Sequence, residues 1–297
     1  MKQLKQLRKQ YLATLKHADT EENIDLWFYR PVGFCVALLG EKLGWTPNLI
    51  STIGIFLGIC SGILLYPESL SVNLLGFAFL VMADVCDSAD GQLARMTKQY
   101  SRIGRILDGV SSDLWFVSIY VCIALRYSDV FGYKIWLLCS LAGASHAAQG
   151  CIADHLRVFH LYFVNGNGIK ELDTIEDIKR EYAQLSFSKE PVHKLFIYFY
   201  MGYTLFQQSV NPKMTAFRNS VLWRKELLLP EFCEVMRRLS FPSLKWTNAL
   251  TYNWRAITLF ITILLGKPWI YPLVEVTLFN ALLVYMVWSH EKIFRVP

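Results

Sequence analysis

The sequence predicts an all-α, polytopic integral membrane protein with six transmembrane helices and an N-terminal interfacial helix. Three observations carry that prediction. The 297-residue chain is 54% hydrophobic and 14% aromatic, too apolar for an ordinary soluble domain. Uncharged apolar runs recur along it, among them 18 residues at 49–66 and 19 at 135–153. Between the runs, basic residues gather on alternate sides, as the loops of a membrane protein do.

Each element follows in order. The opening "MKQLKQLRKQYLATLK" carries charges where a secretory signal needs an apolar stretch, so it reads as a basic amphipathic helix. Residues 24–44 are apolar but hold Pro31, Gly33 and several charges, which suits a helix lying in the interface; the alternative is a seventh span. "WTPNLIS" is a helix start, with Pro47 in the first turn. Spans are expected at 49–66, 70–95, 105–127, 132–156, 248–266 and 270–290. The shorter apolar runs reach the roughly 17–25 residues a span needs once their charged ends meet an interface or a polar interior. Turn signals at Pro67-Glu68-Ser69, 128–132 and Lys267-Pro268 separate paired spans.

Residues 164–246 are a charged insert. "NGNGIKELDTIEDIKREYAQ" is soluble in character, "PVHKLFIYFYMGYTLFQQ" suits the headgroup layer, and 227–239 suits an amphipathic helix. Four regions result: a tail and interfacial helix (1–48), a core of four spans (49–163), the insert (164–246), and two final spans with a tail (247–297). The seven cysteines are scattered, so neither a disulfide framework nor a zinc site is expected.

With the first span running outward from the cytoplasm, 27 of the 30 Lys and Arg fall on the cytoplasmic side; only Arg126, Lys134 and Lys267 do not. The expected location is therefore a multi-pass membrane protein with both termini in the cytoplasm. The net charge of +6 points to anionic membrane lipids as partners. No nucleic-acid motif is present, and nucleic acid is not an expected partner.

The segment 84–113, "DVCDSADGQLARMTKQYSRIGRILDGVSSD", places five aspartates and three arginines between apolar flanks. Asp84, Asp87 and Asp90 are three apart and share one side of a helix. Gly104 and Asp108 open the next span in the reverse direction. Two antiparallel helices would bring Asp87, Asp90, Asp108 and Asp113 to a cleft at the cytoplasmic interface. Left uncompensated, these carboxylates would repel one another and take up protons. One or two divalent cations remove the conflict, and hard oxygen ligands favour Mg²⁺, Mn²⁺ or Ca²⁺ over zinc. Such a site suits clamping a pyrophosphate while an alcohol attacks phosphorus. Gly91 and Gly104 would let backbone approach a nucleotide, and Arg95 would offer a fork to phosphate oxygens. Two other readings stay open on spacing alone: pairing of the aspartates with Arg95, Arg102 and Arg105, or a carboxylate-lined cation path in a transporter or a degenerate scaffold.

The pattern Asp87-x2-Asp90-Gly91-x2-Ala94-Arg95-x8-Gly104-x3-Asp108 resembles the signature of the CDP-alcohol phosphatidyltransferase family. The resemblance covers residues 24–163 well and 247–290 loosely. It implies an enzyme that transfers a substituted phosphate from a CDP-linked donor, CDP-diacylglycerol or a CDP-alcohol, to an acceptor hydroxyl. CMP is released and the product is a phospholipid. It further implies two Mg²⁺ or Mn²⁺ ions held by Asp87, Asp90 and Asp108. Asp90, Gly91, Ala94, Arg95 and Gly104 would face the cytidine nucleotide, with Arg95 supporting phosphate or ligand geometry. The family often forms homodimers.

One position departs from the pattern. The family's last aspartate, a metal ligand and base, follows the third by four residues. Here that position is Ser112, and the carboxylate is Asp113. Four residues of α-helix turn about 40° and five about 140°. Asp113 serves as ligand and base only if a π-bulge brings it round, which Gly109, Ser111 and Ser112 are small enough to permit; the remaining readings are that Ser112 ligates metal while another group serves as base, or that activity is lost. Outside the signature, Arg102, Arg105, Arg157 and Arg255 are candidates to bind an acceptor phosphate or carboxylate; interfacial snorkelling is the competing reading.

Overall fold

The computed structural model describes residues 2–15, 17, 19–100, 102–164, 174–188, 190–222 and 230–294. The side chains of 2–4, 102, 103, 105–109, 192, 221 and 222 are outside the description. Among the described residues the chain is entirely helical. The helices are α1 (Lys2–Thr14), α2 (Arg30–Leu43), α3 (Pro47–Leu64), α4 (Leu70–Thr97), α5 (Arg102–Arg126), α6 (Ser128–Phe131) and α7 (Tyr133–Val164). They continue with α8 (Ile175–Gln184), α9 (Pro191–Val210), α10 (Pro212–Leu222), α11 (Pro230–Thr247), α12 (Tyr252–Leu264), α13 (Ile270–Val274) and α14 (Asn280–Ile293). A π-helical turn, Asp25–Tyr29, leads into α2, and another, Glu275–Phe279, joins α13 to α14.

Four helices among the described residues are long and apolar enough to cross a membrane: α3, α4, α7 and the continuous 24-residue helix Ile270–Ile293. α12 has 13 residues, about 20 Å at 1.5 Å per residue, which by itself falls short of a hydrocarbon layer of about 30 Å.

The chain divides into two compact units. The first comprises Met1–Ala147 and Tyr252–Leu278. Its α3 starts as the sequence requires: the Thr46 side chain accepts a hydrogen bond from the Leu49 amide at 3.3 Å and Pro47 occupies the first turn. α3 carries Gly54, Gly58 and Gly62 four residues apart, a stripe of small residues. In lipid, apolar burial between helices gains little, and close packing of such stripes is what associates them. A Cβ at Gly54 would lie 3.0 Å from Cys86 Cβ of α4, while Cβ atoms at Gly58 and Gly62 would run into Trp115 and Ser118 of α5. One glycine stripe thus seats α3 against both helices of the signature. Beneath it, Leu65, Leu80, Trp115, Phe116, Ile119 and Tyr271 are part of a continuous buried core.

The second unit comprises Ala148–Thr251 and Phe279–Pro297. Glu291 of α14 accepts from the amides of Lys213 (3.0 Å) and Met214 (3.1 Å), capping the start of α10. Tyr203 of α9 donates to Asp154 of α7 at 3.1 Å. Thr174 caps α8 through the Asp177 amide at 3.2 Å and also donates to its carboxylate at 2.6 Å. That bond holds the exposed Asp177 carboxyl below its ordinary range.

Candidate active site

The signature positions Asp87 to Arg95 lie on α4 and are built against α3 and the N-terminal segment, and Gly104 lies on α5. Asp90 is buried, and the Ser51 hydroxyl of α3 donates to it in a short hydrogen bond. Asp87, one turn earlier, is half-buried and lies beside α3: a Cβ at Gly54 would lie 4.0 Å from the Asp87 amide nitrogen. Gly91 is half-buried, with the Arg95 guanidinium 3.5 Å from where its Cβ would be. The Arg95 side chain is therefore laid back along the helix beside the glycine expected to face a nucleotide. Ala94 and Gly104 are half-buried. α4 ends at Lys98, whose left-handed φ of 57° stops the helix just after Arg95.

The N-terminal segment packs on this same stretch of α4. Arg95 Nε donates to the Thr14 carbonyl at 2.7 Å. Gln92 donates to Thr14 Oγ1 at 3.4 Å and to the Arg30 carbonyl at 3.1 Å. Arg30 donates to Ser88 at 3.3 Å and pairs with Glu21 at 3.0 Å. A Cβ at Gly33 would meet Ser88 Oγ at 2.9 Å, so α2 also lies hard against α4. Burial, then the Glu21 carboxylate, pushes the Tyr11 phenol above its ordinary value; burial, then Asp84, raises Tyr29 further.

The bulge expected between Asp108 and Asp113 is not formed. α5 is α-helical throughout Arg102–Arg126. Asp113 therefore shares a face with Phe116 and Tyr120, three and seven residues on. Its Oδ1 stands 3.8 Å from Nε2 of His146 in α7. Phe116 packs on the His146 ring at 4.6 Å, and the Tyr120 hydroxyl is hydrogen-bonded to His146 Nδ1 at 3.3 Å. The Tyr120 and Tyr271 hydroxyls are 3.2 Å apart, and Tyr271 donates to Glu275 at 3.0 Å.

Arg255 belongs to this cluster. It is 4% exposed, donates through Nε to Glu275 at 3.2 Å and through Nη2 to the His146 carbonyl at 3.4 Å. The expectation that Arg255 meets an acceptor is corrected by this geometry, since its charge is committed to a buried carboxylate. Arg157 lies in the second unit, half-buried, with a buried Nε that has no hydrogen-bond partner among the described residues. Arg102, Arg105 and Asp108 belong to the side chains outside the description, so where the structure turns them is not part of this geometry.

Tyr120, Tyr271 and Glu275 were not singled out by sequence reasoning. Glu275 had a readable signal: it is a carboxylate directly before an apolar run, and a span buries such a group only with a partner. Arg255, the same kind of misfit, is that partner.

Among the described residues no three or more His, Cys, Asp and Glu side chains converge as a metal set. Of the four aspartates expected to hold ions, Asp87, Asp90 and Asp113 are described, and each presents carboxylate oxygen. That donor chemistry suits Mg²⁺ or Mn²⁺ and not a thiophilic metal.

The class these features define is a membrane-embedded protein with paired carboxylates on one helix, seated by a glycine-striped neighbour. Residues 44–155 match the model of the CDP-alcohol phosphatidyltransferase family, the family that the signature resembles, and they contain every signature position. Proteins named "Putative cardiolipin synthase" in Mycobacterium bovis and in two strains of Mycobacterium tuberculosis are 34% identical to this chain over 79 residues. The match covers 27% of this chain and 37% of each relative's length. No solved structure matches.

Proposed function

We propose that this protein is a divalent-metal-dependent transferase that moves a substituted phosphate from a CDP-linked donor to an acceptor hydroxyl, with release of CMP, in phospholipid synthesis. The observation that carries this reading is the pairing of Asp87 and Asp90 on the α3-facing side of α4, inside the segment that matches the family. Asp87, Asp90 and Asp108 are the proposed ligands of two Mg²⁺ or Mn²⁺ ions. Bound ions would neutralise the donor pyrophosphate and the charge that develops on it. Ser51 holds one oxygen of Asp90 and so orients the proposed ligand. Gly91, Ala94 and Gly104 form the proposed nucleotide wall, and Arg95 supplies a cation at the pyrophosphate. The base role of Asp113 depended on the bulge and is not carried forward; Asp113 joins the His146 cluster instead. Arg102 and Arg105, at the start of α5, remain the proposed contacts of the acceptor.

The charge asymmetry of the loops supports six spans, with α5 and α12 crossing besides the four apolar helices. It also supports cytoplasmic termini, an active site at the cytoplasmic face, and a cytoplasmic insert at 164–246. The test is CMP formation by purified protein from CDP-diacylglycerol and from CDP-alcohols. It requires a panel of acceptors that includes those of cardiolipin synthesis, each with and without chelator. Metal-dependent CMP release that disappears in Asp87→Ala is the expected result. Its absence for every donor and acceptor pair would overturn the proposal.

A further inference from the structure

α1 has two unlike sides. Tyr11 and Thr14 share the side turned to the protein: Tyr11 packs edge-on against Phe34 at 5.4 Å, and Thr14 is buried, its carbonyl accepting from Arg95 at 2.7 Å. Lys5, Arg8, Lys9 and Leu12 share the opposite side at helical spacing, and all four are exposed, Leu12 at 54%. α1 contains no acidic residue. A basic stripe with a leucine at its centre is complementary to an anionic bilayer surface: ammonium and guanidinium groups meet headgroup charge while the leucine enters the acyl boundary. The other end of the same rigid helix holds the arginine that the transferase reading places at the pyrophosphate.

We infer that α1 seats on anionic lipid through Lys5, Arg8, Lys9 and Leu12, and that this seating sets the position of Arg95 through the Thr14 carbonyl. Gln92 reinforces the connection by bonding both Thr14 and the Arg30 carbonyl, so the end of α1 and the start of α2 are tied to one turn of α4. A neutral surface leaves the stripe unpartnered, and Arg95 loses part of its orientation. Because the arginine acts on the charge of the reacting group, the effect falls on kcat. The inference uses the transferase reading for its activity readout; seating on lipid is measured separately.

The experiment reconstitutes the full chain in phosphatidylcholine vesicles with and without dicetyl phosphate, an anionic lipid that offers no acceptor alcohol. At saturating donor, kcat is expected to rise about fivefold or more on the anionic surface, the lower end of common coupling strengths, with KM little changed. The triple variant K5Q/R8Q/K9Q should equal the wild type on neutral vesicles and show no stimulation. Trypsin cleavage of the wild type after Lys5, Arg8 and Lys9 should slow on anionic vesicles. Stimulation that persists in the triple variant, a change confined to KM, or cleavage equally fast on both surfaces overturns the inference. Protected cleavage with unaltered kcat overturns the coupling to Arg95. A wild type that releases no CMP on either surface refutes the transferase reading instead, and cleavage still decides whether α1 seats on lipid.

Discussion

His146 Nε2 stands 3.8 Å from Asp113 Oδ1, and that contact fixes which way the last acidic residue of the signature region faces. A five-residue step on a regular helix carries Asp113 about 140° from the Asp108 position. The contact with α7 is where such a rotation leads. Asp113→Asn is therefore expected to keep CMP release within about tenfold of the wild type. Asp87→Asn should lower it by more than about 100-fold, since even partners of metal ligands are worth roughly 10–100-fold. Equal losses in both variants, measured on protein that remains in the membrane, would return Asp113 to the metal site.

Ser112, by the same geometry, occupies the position about 40° from Asp108. Ser112→Asp should add a carboxylate where the family carries one. The expected outcome is a drop of about tenfold in the Mg²⁺ concentration giving half-maximal CMP release, the scale on which neighbouring groups tune metal affinity. An unaltered metal titration would show that the fourth position does not reach the ions.

Gly58 lies where the Trp115 ring crosses α3, and an added methyl has no room there. Gly58→Ala should destabilise the first unit by about 1–3 kcal/mol, the cost of forcing extra volume into a packed contact. Among the described residues, nothing lies within 4 Å of the Cβ position of Gly150 in α7. Gly150→Ala should be neutral or slightly stabilising, because alanine is the better helix former by about 0.5–1 kcal/mol. Reversible unfolding in mixed micelles compares the two. A Gly58→Ala protein as stable as Gly150→Ala would mean that α3 and α5 are not in close contact.

Arg255 and Glu275 form a buried ion pair at 3.2 Å. Arg255→Met strands the glutamate, and removal of one partner of such a pair costs about 3–5 kcal/mol. The double variant R255M/E275L removes both charges and should recover most of the loss, since hydrophobic replacement of a whole buried pair is often neutral. The same unfolding measurement yields the coupling. Additive losses would show that the two groups do not act as a pair.

What the sequence determined by itself was whatever depends on local pattern and on lipid as solvent. Apolar runs and charge asymmetry announced a helical membrane protein, "WTPNLIS" announced the start of α3, and the three-residue spacing of Asp87 and Asp90 put both on one side of a helix. The glycine stripe at Gly54, Gly58 and Gly62 was also there to be read. The sequence left open what depends on how one helix face meets another. A possible bulge in α5 could not be decided from Gly109, Ser111 and Ser112, because small residues permit a bulge without requiring one. In the folded protein α5 is α-helical there, and π-helical turns lie at Asp25–Tyr29 and Glu275–Phe279. Likewise Arg255 near a span end suits either an acceptor or a buried partner. Only the tertiary structure, by placing Glu275 beside it in a medium where an unpaired charge is costly, assigned it to the latter.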